Sequence, residues 1–225
     1  MTFTILGRCP ETGRLGGAVT TSDVAVGARV LFGRAGLGVA ATQHRTDPRL
    51  GPAVLQRLQD GLVPDQAVAA VAAQTADRGW RQLGVIDADG RCAAYSGDRV
   101  WPLSAELPGE DCLVIGNMLS SPAVAPAIRA AFLQRAGSDL CDRLLTALQA
   151  GERAGGETGG GPLRSAALLV VDRESFPFVD LRIDDAPQPL RRLTGLWETY
   201  RPLAAQFVAR ALTPDDAHRS NSTTT

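Results

Sequence analysis

The chain has 225 residues, of which 44% are hydrophobic and 21% are charged, and this balance is typical of a globular protein. The formal net charge of −1 provides no basic field for a phosphate backbone, so nucleic acid is excluded as an expected partner. All 23 basic residues are arginine, which excludes every mechanism that depends on a lysine amine, such as Schiff-base chemistry.

Residues suited to binding a metal ion are few and scattered. The chain has two histidines and four cysteines, and the cysteines form no CxxC pair. We therefore expect free, mostly buried thiols, no metal site and no organic cofactor. The residues concerned are His44, His218, Cys9, Cys92, Cys112 and Cys141.

The N-terminus has no basic start followed by a long apolar run, so it does not resemble a secretory signal. The apolar stretches, such as residues 166–171, are far too short to cross a bilayer. We expect no membrane partner and a cytoplasmic protein.

The first part of the chain has the pattern of β-strands. Residues 2–7 alternate polar and apolar side chains, residues 10–13 supply a turn, and residues 15–21 resume an extended pattern. A further strand is predicted over 36–43. Three strands are therefore expected before any helix.

Two helices and a hairpin are predicted next. Apolar residues recur at three- and four-residue spacing over 52–59 and 64–75, and each segment starts with a proline suited to a first helical turn. Strands are predicted over 82–87 and 91–96. The Asp-Ala-Asp-Gly run at 87–90 lacks the later ligands of a calcium loop, so a hairpin turn is expected there.

A strand over 112–116 precedes two further predicted helices. Ser121-Pro122 is a typical helix start, with a cap followed by proline, for an amphipathic helix over 123–135. Residues 140–151 predict the next helix.

The last part begins with a glycine-rich segment at 155–161. It is not followed by Lys-Ser/Thr and it precedes a strand, so we expect a flexible loop and not a phosphate cradle. Strands follow over 165–172 and 178–183, and one or two helices over 189–211. We expect a single domain over 1–212 and a polar, disordered tail over 213–225.

Blocks of strands followed by blocks of helices indicate an α+β protein with antiparallel sheets and helices packed outside them. A four-layer αββα sandwich, with two sheets flanked by helices, satisfies this order.

Segments spread over residues 1–200 carry a resemblance. They read Met-Thr-Phe-Thr at 1–4, Pro-Glu-Thr-Gly-Arg-Leu-Gly at 10–16, Ala-Val-Gly at 25–27, Ala-Thr-Gln at 41–43, Pro-Arg-Leu-Gly-Pro at 48–52, Arg-Gln-Leu-Gly-Val at 81–85, Gly-Asn-Met-Leu at 116–119, Ser-Ala-Ala-Leu-Leu-Val-Val at 165–171 and Val-Asp-Leu-Arg-Ile-Asp-Asp at 179–185. In order and spacing they resemble the family called domain of unknown function 1028, which is grouped with the N-terminal-nucleophile (Ntn) hydrolases.

The resemblance implies the αββα fold and a nucleophile at Thr2 after removal of Met1. In such an enzyme the side-chain hydroxyl attacks a carbonyl while the α-amine takes its proton. The amine has an intrinsic pKa of about 7.7–8.0, closer to neutrality than that of a lysine at about 10.4. The alternative is an ordinary threonine in a first strand.

Ser22, Asp23 and Arg29 are candidates by position within the same superfamily. Ser22 or Asp23 can orient the catalytic centre where proteasome-like members have an acidic residue, or they form a solvated turn. Arg29 lies roughly where those enzymes place a lysine, and it would lower the pKa of the nucleophile or remain a surface arginine. Asp23 also stands where the family often has a basic or histidine residue.

Four further residues complete the expected site. Thr42 and Gln43 end the third strand, where a backbone N–H and an amide can stabilise an oxyanion, and Asn117 can do the same or bond its own loop. Arg81 either orients substrate or belongs to a structural network. His44 is expected to be exposed, which leaves the Thr2 amine as the base.

Two functions follow from these residues. The first is an amidohydrolase that cleaves a C–N bond of a small amide, peptide or ureido compound through an acyl-Thr2 intermediate. The second is a non-catalytic binding or scaffold protein that keeps the fold and retains Met1. Assembly into a homo-oligomer is left open by the sequence.

Overall fold

The computed structural model describes residues 1–215, so the histidine at position 218 and most of the predicted tail lie outside the described residues. The strands are β1 (Thr2–Arg8), β2 (Leu15–Thr21), β3 (Leu31–Arg34), β4 (Gly38–His44), β5 (Arg81–Asp87), β6 (Cys92–Ser96), β7 (Ala105–Gly109), β8 (Cys112–Asn117), β9 (Ser165–Val171) and β10 (Val179–Ile183). The helices are α1 (Leu50–Gln59), α2 (Pro64–Gln74), α3 (Val124–Gln134), α4 (Leu140–Arg153) and α5 (Pro189–Leu212).

The strands form two sheets. The first has six strands in the order β10-β9-β2-β1-β8-β7, and the second has four in the order β3-β4-β5-β6. Every pairing is antiparallel. The predicted antiparallel sheets are therefore confirmed, and β1 lies at the centre of the larger one.

Side chains alternate across β1 and enter two different cores. Phe3 and Ile5 belong to a cluster that joins the six-stranded sheet to α3, α4 and α5. Leu6 belongs to a second cluster, which contains residues of both sheets. Because successive side chains of a strand point to opposite faces, Thr2 and Thr4 face the second sheet together with Leu6.

The smaller sheet has its own helical partners. Ala40 of β4 and Leu83 of β5 pack with apolar residues of α1 and α2 in a third cluster. The neighbouring residues Val39 and Ala41 instead enter the cluster between the sheets. The side chain of Gln43 shares the face of these two residues and is directed at the larger sheet.

Each predicted strand and helix overlaps an observed one, but two strands were not predicted. The expectation of three strands before any helix is wrong, because β3 and a short 3-10 helix, Val26–Ala28, also precede α1. The second missing strand is β7. Both β3 and β7 are edge strands, which pair on one side only, so their sequences lack the strong alternation of a central strand.

Two smaller predictions are confirmed. Asp87 accepts hydrogen bonds from the amides of Asp89 and Arg91 at 3.0 and 2.9 Å, so the run at 87–90 is the hairpin turn between β5 and β6. The four thiols are free; Cys92 is half-buried and the other three are buried. Burial raises the pKa of the Cys112 thiol to about 11.

Within residues 1–215, no helix combines the length and the apolar character that a membrane crossing requires.

Candidate functional site

Thr2 begins β1, between β2 and β8, and is 7% exposed. Its Oγ1 lies 3.4 Å from Oγ1 of Thr21 on the neighbouring strand. The hydroxyls of Thr2 and Thr21 both hydrogen-bond the carbonyl oxygen of Met1. Two hydroxyls therefore converge on the carbonyl group that precedes Thr2.

A chain of buried amides joins the two sheets beside Thr2. Thr4 donates its hydroxyl to Oε1 of Gln43 at 2.6 Å, and Nε2 of Gln43 donates to Oε1 of Gln82 at 2.7 Å. Nδ2 of Asn117 donates to the same Gln82 oxygen at 3.0 Å. All four side chains are fully buried. Nε2 of Gln43 also lies 3.4 Å from the carbonyl oxygen of Thr2.

One backbone carbonyl fixes the orientation of the side-chain amides in this hydrogen-bond network. Nε2 of Gln82 donates to the carbonyl oxygen of Gly116 at 2.9 Å, and a carbonyl can only accept. Oε1 of Gln82 must therefore face Gln43 and Asn117, and both of these residues must present nitrogen to it. Oδ1 of Asn117 is left buried and without a hydrogen-bond partner.

This unpartnered oxygen lies beside the chain terminus. Thr2 and Asn117 are directly opposite each other in the register of β1 and β8. Side chains of such a pair share one face of the sheet and are neighbours. Asn117 thus presents a free acceptor next to Thr2, whereas the sequence suggested a donor for an oxyanion.

A second buried acceptor comes from the glycine-rich segment 155–161. Oε1 of Glu157 accepts the backbone N–H of Ser22 at 2.6 Å, while its Oε2 is buried without a partner. The segment is tied to the end of β8, because the amide of Thr158 donates to the carbonyl of Met118 at 2.8 Å. The loop therefore holds a carboxylate beside the chain terminus.

The charges around the terminal amine shift its pKa in opposite directions. Burial lowers the pKa of the Met1 amine below its usual value, the carboxylates of Glu157 and Asp23 oppose this shift, and Arg45 adds to it. Burial raises the pKa of Glu157, while the hydrogen bond from Ser22 and the terminal amine oppose that shift. The amine and Glu157 therefore influence each other's protonation.

Met1 lies against the glycine-rich segment. A Cβ added at Gly160 would lie 1.6 Å from Cε of Met1 and 2.3 Å from Oγ of Ser22. Glycine at this position therefore leaves room for the Met1 side chain between the loop and Ser22.

His44 is half-buried between the side chains of Trp80 and Trp101, beside the same site. Its ring stacks on Trp80 at a centroid distance of 6.0 Å and meets Trp101 edge-on at 5.4 Å. Nδ1 lies 2.9 Å from the carbonyl oxygen of Trp80, and Nε2 lies 3.4 Å from the amide nitrogen of Trp101. The carbonyl needs a donor and the amide needs an acceptor, so these partners assign a neutral ring protonated on Nδ1.

The pKa of His44 agrees with that assignment. Burial lowers it, the hydrogen bond to Trp80 opposes the shift, and the terminal amine and Arg45 lower it further. The expectation of an exposed histidine is wrong. Its position in a loop suggested exposure, but the tryptophans that cover it come from two other segments of the chain.

The structure brings together four of the eight residues predicted for the site: Thr2, Ser22, Gln43 and Asn117. Asp23 and Arg29 lie at the surface, where their side chains are 70% and 42% exposed and approach each other to 3.8 Å. Arg29 also donates to the carbonyl of Val24 at 2.9 Å. The cation that acts on the terminal amine is Arg45 instead.

Thr42 and Arg81 are also placed away from Thr2. The amide of Thr42 donates to the carbonyl of Val30 at 3.0 Å and its hydroxyl to that of Asp47 at 3.3 Å, so neither is free for an oxyanion. Arg81 donates to the carbonyl of Arg45. It also lines a cavity of about 620 Å³ beside α1 and α2, which does not include Thr2.

Sequence reasoning missed Thr21, Gln82 and Glu157. A polar residue directly before the apolar run 83–86 of β5 is the signal that could have identified Gln82. The only acidic side chain among the glycines at 155–161 could have identified Glu157. Within the described residues, no three His, Cys, Asp or Glu side chains are grouped to hold a metal ion.

The model of the family of unknown function DUF1028 matches residues 2–193. The chain belongs to this family. A crystal structure of the DUF1028 protein SPO2555 from Silicibacter pomeroyi shares 36% sequence identity, covers 88% of each chain and superposes with a TM-score of 0.82. The resemblance read from the segments along residues 1–200 is thus confirmed at the level of the family.

Two more distant solved structures resemble the chain less than SPO2555 does. The Anbu (Gly-1) mutant from Hyphomicrobium sp. strain MC1 is 15% identical, with 91% of this chain and 96% of that chain covered and a TM-score of 0.45. Anbu (ancestral beta-subunit) from Yersinia bercovieri is 13% identical, with 92% and 96% covered and a TM-score of 0.42. No curated protein matches the chain.

Proposed function

We propose that this chain is an Ntn amidohydrolase that cleaves the C–N bond of a small amide, peptide or ureido compound through an acyl intermediate on Thr2. The observation that carries the proposal is the pair of buried acceptors without partners, Asn117 Oδ1 and Glu157 Oε2. Each such atom costs about 1–3 kcal/mol if it stays unpaired. An α-ammonium group on Thr2 has three N–H donors with which to satisfy them.

The mature enzyme in this proposal begins at Thr2. Removal of Met1 moves the amine one residue inward, to the nitrogen of a residue that lies opposite Asn117 in the sheet. It also empties the space between Ser22 and Gly160 that Met1 occupies. That space then receives the substrate.

The reaction needs only groups of this chain and water. The Thr2 hydroxyl attacks the substrate carbonyl carbon while the neutral Thr2 amine takes the hydroxyl proton. The C–N bond then breaks, and the departing amine takes that proton. Water, deprotonated by the same amine, attacks the acyl-Thr2 ester and releases the acid. The amine returns the proton to the Thr2 oxygen, which restores the hydroxyl.

Thr21 is the donor that we assign to the oxyanion. Its hydroxyl already binds the Met1 carbonyl oxygen, which belongs to an amide next to the Thr2 hydroxyl. A substrate carbonyl at the same place would receive the same bond, and the bond strengthens as the oxygen gains negative charge. Asn117 takes the role of acceptor for the amine. Its Oδ1 is buried without a partner, while its amide nitrogen donates to Gln82.

The packing supports the Ntn assignment independently of the site. One core joins the larger sheet to α3, α4 and α5, another contains residues of both sheets, and a third joins the smaller sheet to α1 and α2. We take this arrangement to be a four-layer αββα sandwich within a single domain.

Labelling with a β-lactone tests the nucleophile without knowledge of the substrate. Intact-mass measurement should show wild-type protein that begins at Thr2 and gains the mass of one lactone. Thr2→Ser, which keeps a terminal hydroxyl, should react, and Thr2→Ala should not. A panel of small amides, peptides and ureido compounds then identifies the hydrolysed bond.

Retention of Met1, together with labelling that is equal in wild type and Thr2→Ala, would overturn the proposal. That result would favour the alternative of a non-catalytic binding or scaffold protein.

A further inference from the structure

An aromatic and cationic surface adjoins the Thr2 site; we call its residues Trp80, Trp101 and Arg45 the tryptophan rim. The guanidinium of Arg45 lies 5.7 Å from the ring centre of Trp80 and 5.1 Å from that of Trp101. Trp101 is 43% exposed, and Arg45 is exposed as well. The rim therefore presents the Trp101 ring and a cation to solvent, with Trp80 half-buried beside them.

Arg45 has no acidic partner within residues 1–215. Every ion pair within the described part of the chain joins an arginine to an aspartate, as at Arg49 with Asp47 and Arg91 with Asp87. Among the described residues, Arg45 forms no ion pair with a carboxylate. A guanidinium held over aromatic faces keeps its N–H edge free, and that edge matches the two oxygens of a carboxylate.

Neighbouring charges do not supply that partner. His44, in contact with both tryptophans, is neutral by its hydrogen bonds. Arg99 also lies over Trp80, at 5.7 Å, and these two residues line a neighbouring cavity with Asp77 and Asp98. Arg45 is the cation that lies over both tryptophans of the rim.

The rim is connected to the surroundings of Thr2 on two sides. On one side Gln43, which contacts the Thr2 carbonyl at 3.4 Å, directly precedes His44 and Arg45 in the chain. On the other side the amide of Met118, next to Asn117, donates to the carbonyl of Trp101 at 3.3 Å. The charge of Arg45 also acts on the terminal amine, so the rim and the chain terminus are neighbours.

We propose that the tryptophan rim binds a carboxylate of the substrate, with Arg45 as its partner and the exposed Trp101 indole against the adjoining apolar part. The substrate class is then an amide that also carries a free carboxylate, such as an N-acyl amino acid or a short peptide. This inference rests on the proposed function, because it assigns the substrate of the same site.

Binding to the Thr2→Ala protein tests the rim in the absence of turnover. The probes are hippurate, an N-acyl amino acid, and its neutral amide, hippuramide. Quenching of tryptophan fluorescence reports the rim, because Trp197 is 2% exposed and bonded to Asp142 on α4. We expect hippurate to bind about tenfold more tightly than hippuramide, and this preference to shrink as salt is raised.

Arg45→Gln in the same background should remove the preference for hippurate. Arg192→Gln removes an exposed arginine of α5 and should keep it. Equal affinity for the two probes, or a preference that survives Arg45→Gln, would overturn the inference.

The two proposals fail separately. Binding of hippurate through Arg45, without reactivity of Thr2 towards a β-lactone, would support the carboxylate site and overturn the hydrolase. Reactivity of Thr2, without a preference for the carboxylate at the rim, would support the hydrolase and overturn the carboxylate site.

Discussion

The amide of Asn117 on β8 donates to Oε1 of Gln82 on β5 at 3.0 Å, and this bond crosses from the six-stranded to the four-stranded sheet. Gln82 also accepts from Gln43 and donates to the Gly116 carbonyl, so one buried side chain connects three strands. The catalytic residue that we propose, Thr2, is opposite Asn117 in the register. The position of the site therefore depends on Gln82.

Gln82→Met should lower the free energy of unfolding by about 3 kcal/mol, because it keeps the volume but removes the buried acceptor of the Gln43 and Asn117 amides and the donor to the Gly116 carbonyl. Urea denaturation measures the change. Gln66→Met, at an exposed position of α2, is the matched control and should change it by less than about 0.5 kcal/mol. A loss in Gln82→Met no larger than in the control would contradict this account of the network.

Thr2→Ala should reduce hydrolysis of an identified substrate by about 10³-fold or more and leave the urea midpoint nearly unchanged. The change removes the hydroxyl but little packing at a chain end. Thr2→Ser should retain most of the activity, because serine supplies the same terminal hydroxyl and amine. Comparable rates in Thr2→Ala and wild type would show that another residue is the nucleophile.

Glu157→Gln should lower the pKa of the terminal amine, since it removes a buried negative charge that favours the ammonium form. The chain has no lysine, so the α-amine is the only primary amine in the sequence. The pH dependence of its acylation by acetic anhydride, followed by intact mass, reports this pKa directly. The curve should move to lower pH.

Asp23→Asn is the matched control for this change. Its carboxylate also raises the pKa of the amine, but its side chain is 70% exposed and screened by water. The shift should therefore be smaller than in Glu157→Gln. An equal or larger shift in Asp23→Asn would show that the buried carboxylate is not the main influence on the amine.

His44 should make stability depend on pH below about 6.5. Its folded pKa is lower than the usual 6.5, chiefly through burial, so between the two values the unfolded chain binds more protons than the folded one. The free energy of unfolding therefore falls as the pH drops below 6.5 into this interval. Above 6.5 this contribution no longer changes with pH.

His44→Asn should remove this contribution. Asparagine does not titrate, and it tolerates the positive φ of 70° at this position. The other titrating groups act in both proteins, so the difference between the two pH–stability curves isolates His44. A difference that stays constant from pH 7.5 to 5 would contradict the assignment of a buried, neutral ring.

Local sequence pattern accounts for most of the secondary structure, and for less of the site. Alternation in 2–7 and 15–21 and the prolines in the first turns of α1 and α2 are local signals, so these elements were predictable. Thr2, Gln43 and Asn117 were found because family segments contain them, and Ser22 was found by its position within the superfamily. Asp23 and Arg29 were placed by analogy with other enzymes, and the structure leaves them at the surface.

The sequence by itself determined the family, the antiparallel elements and the composition that leaves the α-amine as the chain's only primary amine. The tertiary structure decided which side chains meet at that amine. Glu157 and Ser22 are 135 positions apart, and Gln82 and Asn117 are 35 apart. The physical reason is that periodicity records only which face of an element is apolar. The order of strands in a sheet, and the loop that covers its end, are set by long-range packing.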